Sequence, residues 1–449
     1  MQILQFVAEA LGDASYLVIG RETAVAVDPQ RDIRPLVRAA NERRVTITHV
    51  FETHVHNDYV SGGRELAALG AEIAAPAESG LEFPFTAVGD GSVVSTGDVR
   101  LRALAAPGHT YEHTAYLALN GDNSVAGAFT GGAILMAAAG RTDLLGPEHT
   151  EELTRLQWES AHRIAAAIPA SAEILPTHGA GSFCSSTAVC EERRAPLSVE
   201  QGRNVVLASP DFETFRALQL ASPAPIPGYY RYMAPINRKG PKVYGEPPKP
   251  RALAPADIEA LRDEGVHIVD VRRRQEFVAG HVPGSVVIEG DGTMLAYVGW
   301  LIPFNAPMAL VTYDEAQAER ATVDLFRIGY ESVRGAMPFG AWERDGRPLA
   351  RLTTVTAAEV AEAIREGGPA ALDLRFANES SEQPVEGSQA RPIELLPAWE
   401  PELDVPRAVL FCESGQRATM GASFLRRAGH DVAPLVEGGW REVQTALRR

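Results

Sequence analysis

Cysteine is nearly absent: the 449-residue chain has three, Cys184, Cys190 and Cys412. Three thiols cannot staple a chain of this size, so a disulfide framework is excluded and a reducing cytoplasm is the expected compartment. Long apolar runs are also missing. No stretch reaches the roughly 18 consecutive apolar residues that a membrane-spanning helix needs, and no membrane partner is expected. The opening MQILQFVAEALGDASYL has no charged n-region and no cleavage site and is not expected to act as a signal peptide. Basic charge is in deficit, with 42 Lys and Arg against 58 Asp and Glu and a formal charge of −16. Following a phosphate backbone takes basic patches, so nucleic acid is excluded as a partner.

What is present is an ordinary globular composition, 45% hydrophobic and 22% charged. At about 100–200 residues per domain the length predicts roughly three units. From residue 1 to 195, short β-rich runs (SYLVIG, TAVAVDP, ITHVFETH) alternate with helical stretches such as IRPLVRAANERR. Between 196 and 250 prolines cluster and periodicity fades, which predicts a docked connector ending in a stiff linker. Two stretches with matching grammar follow, 251–350 and 351–449. Each reads strand–Asp-x-Arg, then strand–loop–helix, then strand–Gly-rich turn–Trp, as in VHIVDVRRRQEF and AALDLRFANES. Self-similarity at that period predicts duplicated α/β domains.

Two motif groups carry chemistry. In ITHVFETHVHNDYVSGG, His54 and His56 lie two apart at a strand end and point the same way, with Asp58 and Tyr59 behind them. His109 in APGHT and His178 in PTHGAGS also follow strands. Imidazoles that each end a strand can enclose a metal. His113, four residues past His109, is a candidate for supporting the ligands. The second group is VLF-Cys412-Glu413-Ser414-Gly415-Gln416-Arg417, an apolar strand, a tight loop and a helix start. Backbone N–H groups at such a helix start favour an anion, and a cysteine there is activated as thiolate. Gly415 permits the φ > 0 turn, and Arg417 can bind loop carbonyls or an anionic substrate. Cys412, Ser414, Gly415 and Arg417 form the candidate catalytic set. Cys184 and Cys190 have no such setting and are expected to be structural.

THVHND, APGHT, GRTDLL and PTHGAGS together resemble the metallo-β-lactamase fold, and more narrowly the persulfide dioxygenases fused to rhodanese domains. The resemblance covers the whole chain and extends to PGYYRYMAPINRKGP and to the Cys412 loop, which looks like the rhodanese active loop. It implies an α+β and α/β chain: an αββα sandwich with its metal at one edge, then a rhodanese repeat without its cysteine, then one with it. Where the first repeat should carry the thiol, TYDEAQAER offers Asp314 or Glu315. The implied partners are a low-molecular-weight thiol persulfide or thiosulfate, and the implied assembly is a homodimer. Two departures alter the metal site. Tyr59 stands where the fold has a histidine, and Gly132 in Phe129-Thr130-Gly131-Gly132 stands where it has a metal-binding Asp. The expected cofactor is therefore one Fe²⁺ or Zn²⁺ ion per chain, or none, on His54, His56 and His109, with Asp58 and His178 as further candidate ligands. On this reading Gly132→Asp should rebuild a two-His–carboxylate face. Arg141 and Asp143 are expected to pair and hold a loop. The expected function is sulfane-sulfur metabolism, with a zinc-dependent thioester hydrolase, or a sulfur carrier with a dead first domain, as the alternatives.

Overall fold

The computed structural model describes residues 1–186, 190–221 and 224–449. Ser222 and Pro223, within the proline-rich connector, lie outside the described residues. The chain divides into two units: Met1–Pro223 with Tyr229–Pro247 and Phe326–Gly329, and Ala224–Gly228 with Pro248–Leu325 and Tyr330–Arg449. Among the described residues no helix is long and apolar enough to cross a membrane.

The first unit has two six-stranded sheets. One runs in chain order from Gln2–Ala8 to Thr86–Val88; the other is ordered Ala195–Pro196, Glu173–Pro176, Val125–Gly131, Thr114–Leu119, Val99–Ala105, Val93–Thr96. Side-chain alternation sorts each strand between two apolar layers. In TAVAV, Val25 and Val27 face the other sheet and pack with Tyr16, Phe51, Tyr116 and Phe129, while Ala24 and Ala26 face out toward helix Arg34–Arg43. Edge-to-face rings, Tyr16–Phe129 at 5.2 Å and Phe51–Tyr116 at 5.1 Å, cross between the sheets. On the far side of the second sheet, helix Pro147–Ala167 buries Ala161 and Ile164, and Phe215 of helix Phe212–Gln219 joins the same cluster. The result is the αββα sandwich.

Part of the segment read as connector is built into this unit. Leu197, Val206 and Phe215 join its core. Asn237, on helix Tyr230–Lys239, donates its amide to the carbonyls of His56 and Tyr59, each at 2.9 Å, and accepts from Ser61 N–H at 2.9 Å. The histidine loop is thus held from behind by a side chain far along the sequence.

The second unit contains two four-stranded parallel sheets in the same order: Val286–Val287, His267–Asp270, Met308–Thr312, Val333–Pro338, and Gln389–Ala390, Ala370–Asp373, Ala408–Phe411, Val432–Pro434. The duplicated Asp-x-Arg has the same geometry in both. Arg272 grips Asp270 through Nε (3.0 Å) and Nη2 (2.6 Å) and stacks over Phe339, while Arg375 grips Asp373 at 3.0 and 2.6 Å and stacks over Trp440. Each guanidinium also caps a chain carbonyl, Gly280 or Gln383. These fork-to-fork pairs are buried, so removing one partner strands a charge. Arg272→Ala should cost about 3–5 kcal/mol, while the double change Asp270→Leu/Arg272→Met should cost less than that single one. Melting of the full chain reads both.

Candidate metal centre and sulfur-transfer loop

At one edge of the sandwich the strand-ending histidines converge. Ring centroids lie 4.2 Å apart for His54–His56, 4.9 Å for His54–His109, 5.4 Å for His54–His178 and 5.2 Å for His109–His178. All four rings are buried. Ligand atoms of His54, His109 and His178 fall within 4.8 Å of one another, and so do those of His56, Asp58 and His178. His178, a further candidate in the sequence reading, belongs to both groups. His56 joins the second group with Asp58, not the first with His54 and His109.

Hydrogen bonds orient the ligand nitrogens. His54 Nδ1 meets Thr53 Oγ1 at 2.8 Å, and that hydroxyl donates to Asp28 at 2.8 Å, leaving His54 Nε2 for the site. His109 donates Nδ1–H to the Arg141 carbonyl at 2.7 Å, leaving Nε2 without a partner. His56 places Nε2 3.3 Å from both Asp28 and Glu52, and its Nδ1 has no partner. Burial and the neighbouring rings hold His54 and His109 well below the usual imidazole value, so both are neutral with a lone pair to give. Burial alone would depress His56 and His178. Asp28 and Glu52 hold the former at about 10, and Asp58 and Asp13 hold the latter at about 10.

The chemistry of this donor set fits a cation. Buried His109 Nε2 and Asp58 Oδ1 have no hydrogen-bond partner, while Asp58 Oδ2 lies 3.0 Å from His178 Nδ1, and buried lone pairs without donors are costly unless something positive answers them. Ligand carboxylates held by histidine and histidines held by carboxylates are the usual outer support of a metal.

Other residues of the motifs take supporting places. Tyr59 stacks on His56 at 4.4 Å and donates to the Asp28 carbonyl at 3.3 Å. His113 Nε2 accepts the Gly132 N–H at 3.0 Å. Arg141 and Asp143 form a two-pronged pair at 2.8 and 2.6 Å, which steadies the carbonyl that orients His109. Cys184 lies 3.8 Å from the Tyr230 hydroxyl, and burial together with the charges of Asp58 and Asp13 pushes its thiol well up. Asp13, Asp28 and Glu52 were not singled out in the sequence. Asp28 closes the strand TAVAV, the same strand-end signal that marks the histidines. A narrow cleft with room for little more than a water molecule, about 20 Å³, reaches the group from the side of Glu52, His54, Arg64, Phe83 and Asn237.

In the second unit, strand Ala408–Phe411 delivers Cys412 into the turn before helix Gln416–Arg427. Cys412 is fully buried and its Sγ accepts the Gly415 N–H at 3.2 Å. Gly415 has φ +85°, and a Cβ there would sit 1.9 Å from the Val436 carbonyl, so no other residue fits. Arg417 is tied to Glu379 and lies 4.5 Å over the Phe376 ring. Ser414 is exposed at the loop tip. In the first repeat, Asp314 instead caps its helix by accepting Gln317 N–H at 2.7 Å.

Residues 254–335 and 356–446 match the rhodanese-like domain family. The chain is 31% identical to the mitochondrial persulfide dioxygenase of Homo sapiens over 196 residues, which cover 42% of this chain and 73% of that protein. The chain belongs to the metallo-β-lactamase–rhodanese fusions. It is also 30% identical over 161 residues to the hydroxyacylglutathione hydrolase of Maricaulis maris, 35% of this chain and 57% of that one. A metallo-β-lactamase crystal structure from Staphylococcus aureus superposes with TM-score 0.66 at 28% identity, over 75% of this chain and 98% of that one.

Within this fusion, Gly132 behaves otherwise than the motif suggests. A Cβ on Gly132 would lie 2.4 Å from His109 Cδ2 and 2.5 Å from Cγ. The His109 ring occupies the space a side chain would need, and both close atoms belong to the ring. The expectation that Gly132→Asp rebuilds a ligand face is therefore replaced. The variant should displace His109 and bind less metal than the wild type. Elemental analysis of protein purified without chelator checks this, with His54→Ala as the reference for ligand loss and at most about one ion per chain in the wild type.

Proposed function

We propose that this fusion handles sulfane sulfur, with Cys412 as the transferring thiol and a low-molecular-weight persulfide or thiosulfate as donor. The observation that carries the reading is the Cys412 loop: a strand-end sulfur held by an inward N–H at the start of a helix, with Arg417 beside it. The Cys412 thiolate attacks the outer sulfur of the donor. A Cys–S–S⁻ bond forms as the donor S–S bond breaks, and the thiolate or sulfite leaves with the electron pair. A nucleophilic acceptor such as cyanide then takes the terminal sulfur and returns the thiolate. The loop N–H groups and the helix start stabilise the charge on the terminal sulfur.

In the first unit His54, His109 and His178, with His56 and Asp58 adjoining, would hold the ion, which would displace the proton that Asp58 and Asp13 otherwise keep on His178. Bound Fe²⁺ would supply oxygen chemistry on a persulfide, and bound Zn²⁺ Lewis-acid activation of water. Asp28, through Thr53, and the Arg141 carbonyl keep the ligand nitrogens turned inward, and Asp13 and Asp58 flank His178. A second reading, zinc-dependent thioester hydrolysis, is favoured by the donor set of three imidazoles, which suits Zn²⁺ with a bound water, and by the similarity to a hydroxyacylglutathione hydrolase. Iron in the purified protein with persulfide-dependent oxygen uptake supports the first; zinc with thioester cleavage supports the second.

Cys412→Ser should lower thiocyanate formation from thiosulfate and cyanide at least about 100-fold, because the nucleophile is lost. Cys190→Ser should leave the rate within about twofold. A Cys412→Ser variant that retains most of the rate places the chemistry elsewhere.

A further inference from the structure

The repeat without a cysteine reaches the active loop of its neighbour through one side chain. Arg274, at the start of helix Arg274–Ala279, donates Nη2–H to the Ser414 carbonyl at 3.2 Å and Nε–H to the Val436 carbonyl at 3.3 Å. Its remaining edge is held by Glu289, which takes Nη1–H at 2.9 Å and the Arg274 backbone N–H at 3.1 Å. Ser414 and Gly415 share one peptide group, and it is trans. A trans peptide is planar and sends its C=O and its N–H in opposite directions. The carbonyl of this group lies on Arg274, and its N–H lies on Cys412 Sγ. Val436 O, the second carbonyl on Arg274, is the atom that a Cβ at Gly415 would strike.

We infer that Arg274 is a positioning residue for Cys412: by fixing the Ser414–Gly415 peptide from outside, it aims the N–H that stabilises the sulfur's negative charge. The inference rests on the proposed sulfur transfer at Cys412 and gives the cysteine-less repeat a part in it. Arg274 does not touch the sulfur. It acts when the thiolate attacks the outer sulfur of thiosulfate, with the new S–S bond forming as the old one breaks and sulfite leaving with the electron pair. Other bonds also join the two repeats, Val287 N–H to Ser423 Oγ at 3.1 Å and Gln416 Nε2 to Asp291 at 2.9 Å, so the contact does not depend on Arg274 alone.

The test uses the full chain and two readouts. The first is steady-state thiocyanate formation from thiosulfate and cyanide. The second is the 240-nm thiolate absorbance owed to Cys412, taken as the difference from Cys412→Ser, which needs no turnover. Arg274→Ala should lower kcat roughly tenfold with KM changed less than about twofold, because an aimed donor is loosened and no substrate contact is removed. The pH midpoint at which that absorbance develops should move up with it. Arg274→Lys keeps the charge but not the two-pronged grip and should show a smaller loss in the same direction; it serves if Arg274→Ala does not fold. Ser423→Ala, which breaks a neighbouring bond between the repeats, should change the melting temperature but neither readout. Unchanged kcat and an unchanged midpoint in folded Arg274 variants would overturn the inference, as would equal changes in Ser423→Ala. A wild type with no sulfur transfer would sink the proposed function instead, and the absorbance would still decide on Arg274.

Discussion

Asp28 is the joint on which the first unit depends. It is fully buried at the end of strand Thr23–Val27, in the positive-φ region at 47°. One oxygen accepts Thr53 N–H at 2.7 Å; the other accepts the Thr53 hydroxyl at 2.8 Å and the Thr177 hydroxyl. Thr53 follows a strand of the first sheet and Thr177 a strand of the second, so one carboxylate ties the two sheets together where the histidines emerge. Burial alone would favour its neutral form, but His56 and these donors hold it below the usual carboxylate value. The charge cannot be removed without releasing His56, His54 and the loop after Pro176 together.

That arrangement explains why so many ionisable groups can share one dry corner. Asp58 is kept ionised against burial, chiefly by His178, while burial and Asp58 push Asp13 up to about 8. Of two carboxylates on one imidazole, one carries the charge and the other takes up a proton, which limits like-charge repulsion. The neutral His54 and His109 complete a set whose unmet lone pairs point to a cation.

The second unit solves a different problem with a repeated scaffold. Both repeats keep the four-strand order and the buried Asp–Arg fork. They part company at the loop after the third strand in that order. One places a thiol under a backbone N–H, and the other caps its helix with Asp314. The capped repeat keeps the regular scaffold, and its Arg274 and Asp291 bond to the Ser414 carbonyl and the Gln416 side chain of the other.

Local chemistry was legible wherever it depends on neighbours in the chain. Strand endings at His54, His109, His178 and Cys412, the glycine at 415 and the duplicated Asp-x-Arg with its two α/β repeats all rest on periodicity and turn chemistry within a few residues, whereas the sandwich was implied by the resemblance of the histidine motifs to the metallo-β-lactamase fold. The sequence by itself determined which side chains could serve. Only the tertiary structure decided their use, because that depends on contacts between residues distant in sequence. It turned His56 toward Asp28 and Glu52, put Asp13 against His178 across 165 residues, and filled the space beside Gly132 with the His109 ring. It also set Arg274 on a carbonyl 140 residues away. Such pairings have no local signature, since a hydrogen bond or a steric collision is fixed by where the packed sheets bring two atoms, and no spacing in the chain records that distance.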